Sequence, residues 1–404
     1  MKKQTTCLAI IVALVFSLSL TACTVKTTEP TEITFIHGWG SSDPDHVAMR
    51  QIYTDFEKTR PDVKLNLISM PSADDVISKV QDMLTVGEIP DVVFTAGAGE
   101  EKLYTYMAQN GYALDLQPYI EEDTDFRSCI SDAALKRWQE EDGSLYTVSD
   151  VLLMSGCWIN EEIFARAGIE GTPKTWDEFT HFCRRIREWA LQSGSEVTPI
   201  VLDEECLLYL TDALLENEEE GALTALSIGE KKPQDAEYQS TIETLQQIRS
   251  FADMEEQFTY RDTLEMFNSG MSAMYVNGVW ASTMISEDLQ VSYMAFPSAD
   301  GTGSACISSC VGYLLGNTED EKKTEASAAF LKYMLSDDVQ ERILRETGQI
   351  VSSPRIDIAA ISDNERLLQA VSCVQNAGHI IEVPENLWRS GPKEQFLRYL
   401  SEEL

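Results

Sequence analysis

The chain has 404 residues, of which 67 are acidic and 31 basic, and its formal net charge is −36 at pH 7. A surface this acidic repels polyanions, so nucleic acid is excluded as a partner. The hydrophobic content of 43% excludes wholesale disorder, and the length exceeds what one hydrophobic core fills, so two lobes are expected.

The N-terminal segment is built like an export signal. Two lysines precede an apolar run over residues 8–20, which is shorter than the roughly 20 residues that a membrane-spanning helix needs. The run closes in Leu20-Thr21-Ala22-Cys23, which resembles the lipobox of a bacterial lipoprotein. The resemblance implies removal of residues 1–22 and lipidation of Cys23, with palmitate among the acyl chains. The alternative is a soluble secreted protein with a chance cysteine.

A short polar tether over residues 23–31 precedes an alternation of strands and helices. Apolar residues recur with a period of two in the strands and at helical spacing in the helices. The pattern indicates an α/β lobe with a largely parallel sheet. The predicted elements are a strand at Ile33–His37, a helix at Asp43–Thr59, a strand at Val63–Met70, a helix at Ala73–Val86 and a strand at Val92–Thr95.

The next region continues the alternation with more helix. A helix is predicted to begin after Thr175 and to run to about Gln192, because Thr175 and Glu178 have the spacing of a capping box. No internal repeat is evident.

The cysteines do not form the pattern of a disulfide framework. Seven remain after Cys7 and Cys23 are set aside, and an odd number is awkward for pairing. We expect mostly buried thiols that behave as small hydrophobic side chains. The four histidines are widely spaced, so a multi-histidine metal site is not expected. No cofactor is expected.

One internal segment resembles the signature of a known family. Gly270–Trp280 resembles the Gly-x-x-Ala-Met…Gly-x-Trp signature of the family 1 extracellular solute-binding proteins of ABC importers, the group that includes maltose-binding protein. Further segments match the family in the same order: Val86–Val93, Trp158–Phe164, Pro173–Phe179 and Ala326–Leu335. The resemblance covers roughly residues 31–404.

The resemblance implies an α/β periplasmic-binding-protein fold of type II, with two lobes, three interlobe crossovers and a ligand cleft that closes by hinge motion. The crossovers are expected near Tyr146–Leu153, Tyr293–Ser298 and Glu346–Val351. Lobe 1 is then expected to hold residues 31–149 and 298–346, and lobe 2 residues 150–297 and 347–404.

The implied function is that of a monomeric receptor that captures a sugar or oligosaccharide and delivers it to an ABC permease. Its lipid anchor places it at the extracellular face of the cell membrane, as in Gram-positive bacteria. We expect a binding protein and not an enzyme, because the chain lacks Gly-x-Ser-x-Gly, His-Glu-x-x-His and a P-loop.

Aromatic side chains are the first candidates for ligand binding, since a sugar offers apolar C–H faces as well as hydroxyls. Trp280 follows Gly278 in the signature, where the family stacks a tryptophan on sugar. Trp39 lies in the glycine-rich loop after the first strand, at the carboxyl end where open α/β sheets bind ligands. Tyr313 and Trp388 complete the aromatic set. For each, the alternative is a packing role.

Two polar side chains complete the candidate site. His37 precedes Trp39 in the same loop, and Asp150 lies at the first expected crossover, where a carboxylate accepts hydrogen bonds from sugar hydroxyls. The alternative for Asp150 is a solvated hinge residue.

Other functions remain open at this point. In a second interpretation, the fold is the same and the ligand is a polyamine, a phosphorylated polyol or a metal complex. Few basic residues are available to hold phosphate. A surface-anchored glycoside hydrolase with two carboxylates is the third.

Overall fold

A computed structural model describes residues 29–95, 100–215, 221–253, 258–382 and 387–402. The predicted signal segment and Cys23 lie outside these ranges. Within them, no helix combines the length and the apolar character that crossing a membrane requires.

The strands of the described ranges lie in two sheets. In chain order they are β1 (Thr31–His37), β2 (Val63–Ser69), β3 (Val92–Phe94), β4 (Thr147–Val148), β5 (Val151–Asn160), β6 (Thr198–Val201), β7 (Ala252–Asp253), β8 (Ser272–Gly278), β9 (Val291–Met294), β10 (Ser304–Ser309), β11 (Tyr313–Leu315), β12 (Ile350–Val351) and β13 (His379–Ile381).

Helices connect and cover these strands. They are α1 (Pro44–Thr59), α2 (Ala73–Thr85), α3 (Glu100–Gln109), α4 (Gln117–Glu122), α5 (Thr124–Ser128), α6 (Asp132–Trp138), α7 (Glu161–Arg166), α8 (Trp176–Ser193), α9 (Glu204–Leu215), α10 (Ala222–Ser227), α11 (Gln239–Phe251), α12 (Tyr260–Asn268), α13 (Glu321–Met334), α14 (Asp337–Thr347), α15 (Ile358–Ile361), α16 (Glu365–Gln375) and α17 (Ser390–Glu402), with 3₁₀ turns at Ala236–Tyr238 and Val279–Thr283.

The first sheet has the strand order β2-β1-β3-β11-β4. Its first three strands are parallel, and β11 is antiparallel to both of its neighbours. The predicted alternation of strands and helices from β1 to β3 is confirmed, each boundary falling within two residues of the expected one. The carboxyl ends of β1 and β3 therefore lie side by side at one edge of the sheet.

The second sheet has the order β13-β10-β5-β8-β6-β7, and β9 and β12 also pair with the long strand β5. Its helix α8 begins where the sequence predicts. The Thr175 hydroxyl accepts a hydrogen bond from the Glu178 backbone N–H at 3.3 Å, but the Glu178 carboxylate accepts from Lys174 N–H instead. Only half of the predicted capping box is formed.

The chain passes three times between the sheets, which makes the molecule two-lobed. Ser149 and Asp150 separate β4 in the first sheet from β5 in the second. Residues 310–312 separate β10 from β11, and residues 348–349 separate α14 from β12.

The second passage differs from the sequence expectation near Tyr293–Ser298. Strand β10 pairs antiparallel with β5, with Cys306 opposite Ser155, so the chain is still in the second sheet at Ser309. The sequence contains no signal for this extra strand, because β10 is held by long-range pairing and not by a local pattern. Residues 304–309 therefore lie in the second sheet and not in the first.

The three passages lie against each other. The Asp150 carbonyl accepts hydrogen bonds from Ser352 N–H at 3.0 Å and from the Gln340 side chain at 3.1 Å. A Cβ atom on Gly312 would lie 2.1 Å from the Val148 carbonyl oxygen, so only glycine allows this approach. The backbone segments that connect the lobes are thereby packed together.

The seven cysteines outside the signal segment are buried, except for Cys373, which is half-buried. Cys129, Cys157, Cys183 and Cys373 form no disulfide. The expectation of buried thiols is confirmed for the described residues. Burial raises the pKa of the Cys157 and Cys183 thiols well above the ordinary value, which leaves them protonated and inert.

Candidate functional site

His37 ends β1 and is fully buried beneath the loop that follows it. Its Nδ1 accepts a hydrogen bond from the Trp39 backbone N–H at 3.2 Å, and Nε2 lies 3.1 Å from the Ser69 hydroxyl. Burial and the nearby charge of Arg50 lower the pKa of His37 to about 3. The ring is therefore neutral, with its proton on Nε2. Its hydrogen bond to the Trp39 N–H holds the backbone of Trp39 in position.

Trp39 lies on the first lobe between two other rings. Its indole is 7% exposed, stacks at 6.2 Å on Phe94 from the end of β3, and meets His46 edge-on at 4.8 Å. The guanidinium of Arg50 donates to the Trp39 carbonyl. The indole N–H is buried and makes no hydrogen bond of normal geometry among the described residues, and it lies near the Tyr53 hydroxyl.

Tyr313 and Asp150 form a buried hydrogen-bonded pair at the hinge. The Tyr313 hydroxyl donates to Asp150 Oδ2 at 2.7 Å and lies 3.2 Å from the Tyr53 hydroxyl. A hydroxyl has one proton, so Tyr53 donates to Tyr313, which donates to Asp150. The Tyr313 ring stacks on Phe94 at 4.7 Å. Trp39, Phe94 and Tyr313 therefore form one aromatic layer that leads to the hinge.

The carboxyl group of Asp150 is fully buried, and burial raises its pKa to about 6. Its second oxygen, Oδ1, has no hydrogen-bond partner within the described part of the chain. This burial excludes the alternative of a solvated hinge residue. The buried charge and the unpaired oxygen both require further hydrogen-bond donors.

Trp280 belongs to the second lobe, in the 3₁₀ turn directly after β8, and is half-buried. Its six-membered ring lies flat against Gly278, where a Cβ atom would lie 1.9 Å from Cζ3. The Gly278 carbonyl accepts a hydrogen bond from the Trp158 indole at 3.0 Å. The absence of a side chain at Gly278 thus leaves room for the Trp280 ring. The hydrogen bond from the buried Trp158 holds the end of β8 in position.

Tyr260 is a residue next to Trp280 that the sequence analysis does not identify. It begins α12, and its hydroxyl lies beside the Tyr275 and Trp280 side chains. Burial and the nearby charge of Asp45 raise the pKa of that hydroxyl, yet 36% of the residue is exposed. The exposed part is therefore the ring, whereas the buried hydroxyl is the part that lies beside Trp280. Its only sequence signal was an aromatic residue at a helix start, which is too common to single it out.

An ion pair between Asp43 and Arg261 joins the two lobes where the start of α1 meets the start of α12. Arg261 of α12 donates from one nitrogen to both carboxylate oxygens of Asp43, the residue before α1, at 2.8 and 2.7 Å. The loop of Trp39 in one lobe and the turn of Trp280 in the other are thus held across from each other.

Trp388 lies apart from this group. It is 2% exposed, packs on Phe396 at 5.0 Å, and donates its indole N–H to Asp212 at 2.8 Å. These contacts place it in the hydrophobic core of the second lobe.

A surface concavity of about 570 Å³ lies apart from the candidate site. Its lining includes the acidic residues Asp115, Glu121, Glu122 and Asp142 and no aromatic side chain.

Comparison with known structures identifies the same fold in sugar-binding proteins. A Streptococcus pneumoniae solute-binding protein in complex with the blood group A-trisaccharide shares 25% identity over 92% of this chain and 94% of its own, with a TM-score of 0.77. The GacH receptor of Streptomyces glaucescens, solved unliganded and with acarbose, shares 20% identity over 93% and 94%, with a TM-score of 0.70.

A chitin oligosaccharide binding protein shares 16% identity over 92% of this chain and 98% of its own, with a TM-score of 0.74. No curated protein sequence matches the chain. The sequence model of one family matches residues 51–364, which is most of the chain. The protein belongs to this family, the bacterial extracellular solute-binding proteins.

Proposed function

We propose that this protein is the receptor of an ABC importer that binds a sugar or oligosaccharide between its lobes and delivers it to a permease. The observation that carries the proposal is the half-buried Trp280 with the exposed ring of Tyr260 on the second lobe, held across from the loop of Trp39 on the first, beside buried groups that have hydrogen-bonding capacity left over. A sugar needs both kinds of contact. The trisaccharide complex of the streptococcal relative supports the same ligand class.

The candidate residues take different roles in this proposal. Trp280 stacks on the ligand, and Gly278 allows its position. Trp39 and Asp150 offer a donor and an acceptor to ligand hydroxyls. His37 and Tyr313 act indirectly, since both are buried and hold Trp39 and Asp150 in place. Trp388 has the surroundings of a packing residue.

The lobe limits of the proposal follow sheet membership. Lobe 1 comprises residues 31–149 and 313–347, and lobe 2 comprises 150–311 and 350–402. Lipidation of Cys23 anchors the receptor at the extracellular face of the cell membrane, where two acyl chains suffice for stable attachment.

A thermal-shift screen tests the function. The protein without lipid is unfolded in the presence of neutral mono- and oligosaccharides, polyamines, polyol phosphates and metal complexes. Ligand at about 100 times its Kd stabilises the folded state by about 2.7 kcal/mol, so a sugar should raise the midpoint by several degrees. A shift with another class and none with sugars contradicts the proposal.

The same sugars serve to test for catalysis. Each oligosaccharide that shifts the midpoint is incubated with the protein and analysed by chromatography, and we expect it to be recovered intact. Turnover at the rate of a glycoside hydrolase would mean that two carboxylates of the cleft act as acid and base, and the binding function would be wrong.

A further inference from the structure

Asp45 lies in the first turn of α1, two residues after Asp43. Its Oδ1 atom is buried and has no hydrogen-bond partner among the residues that the structure describes. A buried carboxylate oxygen is costly unless a donor reaches it. The folded chain thus presents an acceptor that needs a partner from outside.

The position of Asp45 places this acceptor between the lobes. Its charge raises the pKa of the Tyr260 hydroxyl, so the carboxylate of the first lobe lies close to the first residue of α12 in the second. The same hydroxyl lies beside Trp280, and the exposed part of Tyr260 is its ring. Asp45 therefore lies across from the aromatic surface that the proposed function assigns to the sugar.

The neighbouring cations are engaged elsewhere. Arg50 donates to the carbonyl oxygens of Trp39 and Ser41, the latter at 2.9 Å, and Arg261 donates to both oxygens of Asp43. Both guanidinium groups lie near enough to lower the pKa of His46, so they moderate the local negative charge without donating to Asp45 Oδ1.

We propose that Asp45 is a specificity-determining residue, which accepts a hydrogen bond from a hydroxyl or amine of the ligand and excludes sugars that carry a carboxylate. The inference rests on the proposed function and narrows its ligand class to neutral or aminated carbohydrates. A site built around a buried acceptor discriminates strongly against a ligand that leaves the acceptor unpaired. A second carboxylate would add like-charge repulsion to that loss.

The test uses one neutral oligosaccharide found in the thermal-shift screen, together with its derivatives carrying a carboxylate or an amine at C6 of the terminal residue. Calorimetry gives Kd for each with the wild type, Asp45→Asn and the control Asp74→Asn. Asp74 occupies the equivalent second position of α2 and is exposed. We expect the wild type to bind the neutral and aminated sugars about tenfold or more tightly than the carboxylate, the scale of one lost charge-assisted contact.

Asp45→Asn should weaken binding of the neutral sugar and reduce this preference severalfold, because the amide keeps the shape and removes the charge. Asp74→Asn should leave both values at wild-type level. A merely structural role for Asp45 would change the affinities together and leave their ratio unchanged, and that result overturns the inference, as does wild-type behaviour of Asp45→Asn. If the Asp45→Asn variant does not fold, Asp45→Ser is measured in its place. A wild type that binds no oligosaccharide contradicts the proposed function itself, and this inference with it.

Discussion

Arg261 of the second lobe and Asp43 of the first form an ion pair, with one guanidinium nitrogen 2.8 and 2.7 Å from the two carboxylate oxygens. Hydrogen bonds from Ser41 and Arg261 hold the pKa of Asp43 below its ordinary value. The pair connects the start of α1 to the start of α12, next to the aromatic residues of both lobes. It therefore stabilises this arrangement of the two lobes.

We expect Arg261→Ala to weaken ligand binding by a few fold. Both side chains are largely exposed, 65% for Arg261 and 41% for Asp43, and exposed pairs contribute about 0.2–1 kcal/mol. The loss should appear mainly as faster dissociation, measured by stopped-flow tryptophan fluorescence, and should shrink as salt screens the pair.

The reversed pair Asp43→Arg with Arg261→Asp is the control. It should restore most of the affinity that either single reversal loses, since the attraction across the lobes is re-formed. A loss in the double variant equal to the sum of the two single losses would show that the pair does not couple the lobes.

Gly278→Ala should abolish most sugar binding while leaving the fold intact. The added methyl group would lie 1.9 Å from the Trp280 ring, so the ring must move away from the position in which we propose that it stacks on the ligand. We expect the Kd to rise at least about tenfold, approaching the loss of a few kcal/mol expected for Trp280→Ala as an aromatic anchor. Calorimetry with the oligosaccharide from the screen measures both.

Gly391→Ala is the matched control, because nothing lies within 4 Å of a Cβ atom there. It should bind like the wild type. Unchanged binding by both Gly278→Ala and Trp280→Ala would remove this turn from the ligand site.

The sequence predicts those parts of the fold that local patterns encode. Strand β1, helix α1 and the start of α8 after Thr175 follow from apolar periodicity and capping. Strand β10 does not, since it is defined by its pairing with β5 over a separation of about 150 residues, and the second passage between the lobes was misplaced for that reason.

In the candidate site, too, some features follow from local sequence and others depend on tertiary packing. The signature and the position after a strand point to Trp280 and Trp39, but burial is decided by tertiary packing. His37, which the sequence groups with Trp39, lies beneath it. Tyr260 is distant in sequence from β1 and comes to lie beside Trp280 because α12 packs on the second sheet, so no local pattern singles it out.

Asp150 makes stability depend on pH in a testable way. Burial raises its pKa to about 6, against about 3.9 in the unfolded chain. Between these values the folded protein binds more protons at this carboxyl, so raising the pH weakens the folded state. At about 1.4 kcal/mol for each pKa unit, Asp150→Asn should gain about 2 kcal/mol relative to the wild type between pH 4 and 7, measured by urea unfolding without ligand.

Tyr313→Phe tests the cause of the shift. The Tyr313 hydroxyl donates to the carboxylate and so lowers its pKa. Without that hydroxyl the pKa should rise further, and the loss of stability should extend to higher pH. A stability difference between Asp150→Asn and the wild type that stays constant with pH would mean that Asp150 is ionised throughout.

Replacement of Cys23 by serine tests retention at the membrane. The lipobox prediction makes Cys23 the acylated residue, and the cleft residues of the described ranges lie beyond the tether that follows it. Without lipid, nothing in the predicted arrangement holds the protein at the cell surface, so we expect it in the soluble fraction or the medium, with the same Kd for its sugar as the lipidated form in detergent. Cell fractionation and calorimetry measure the two quantities separately. Persistent membrane attachment of Cys23→Ser would refute the lipobox prediction, whereas release with lost binding would show that the anchor contributes to the ligand site.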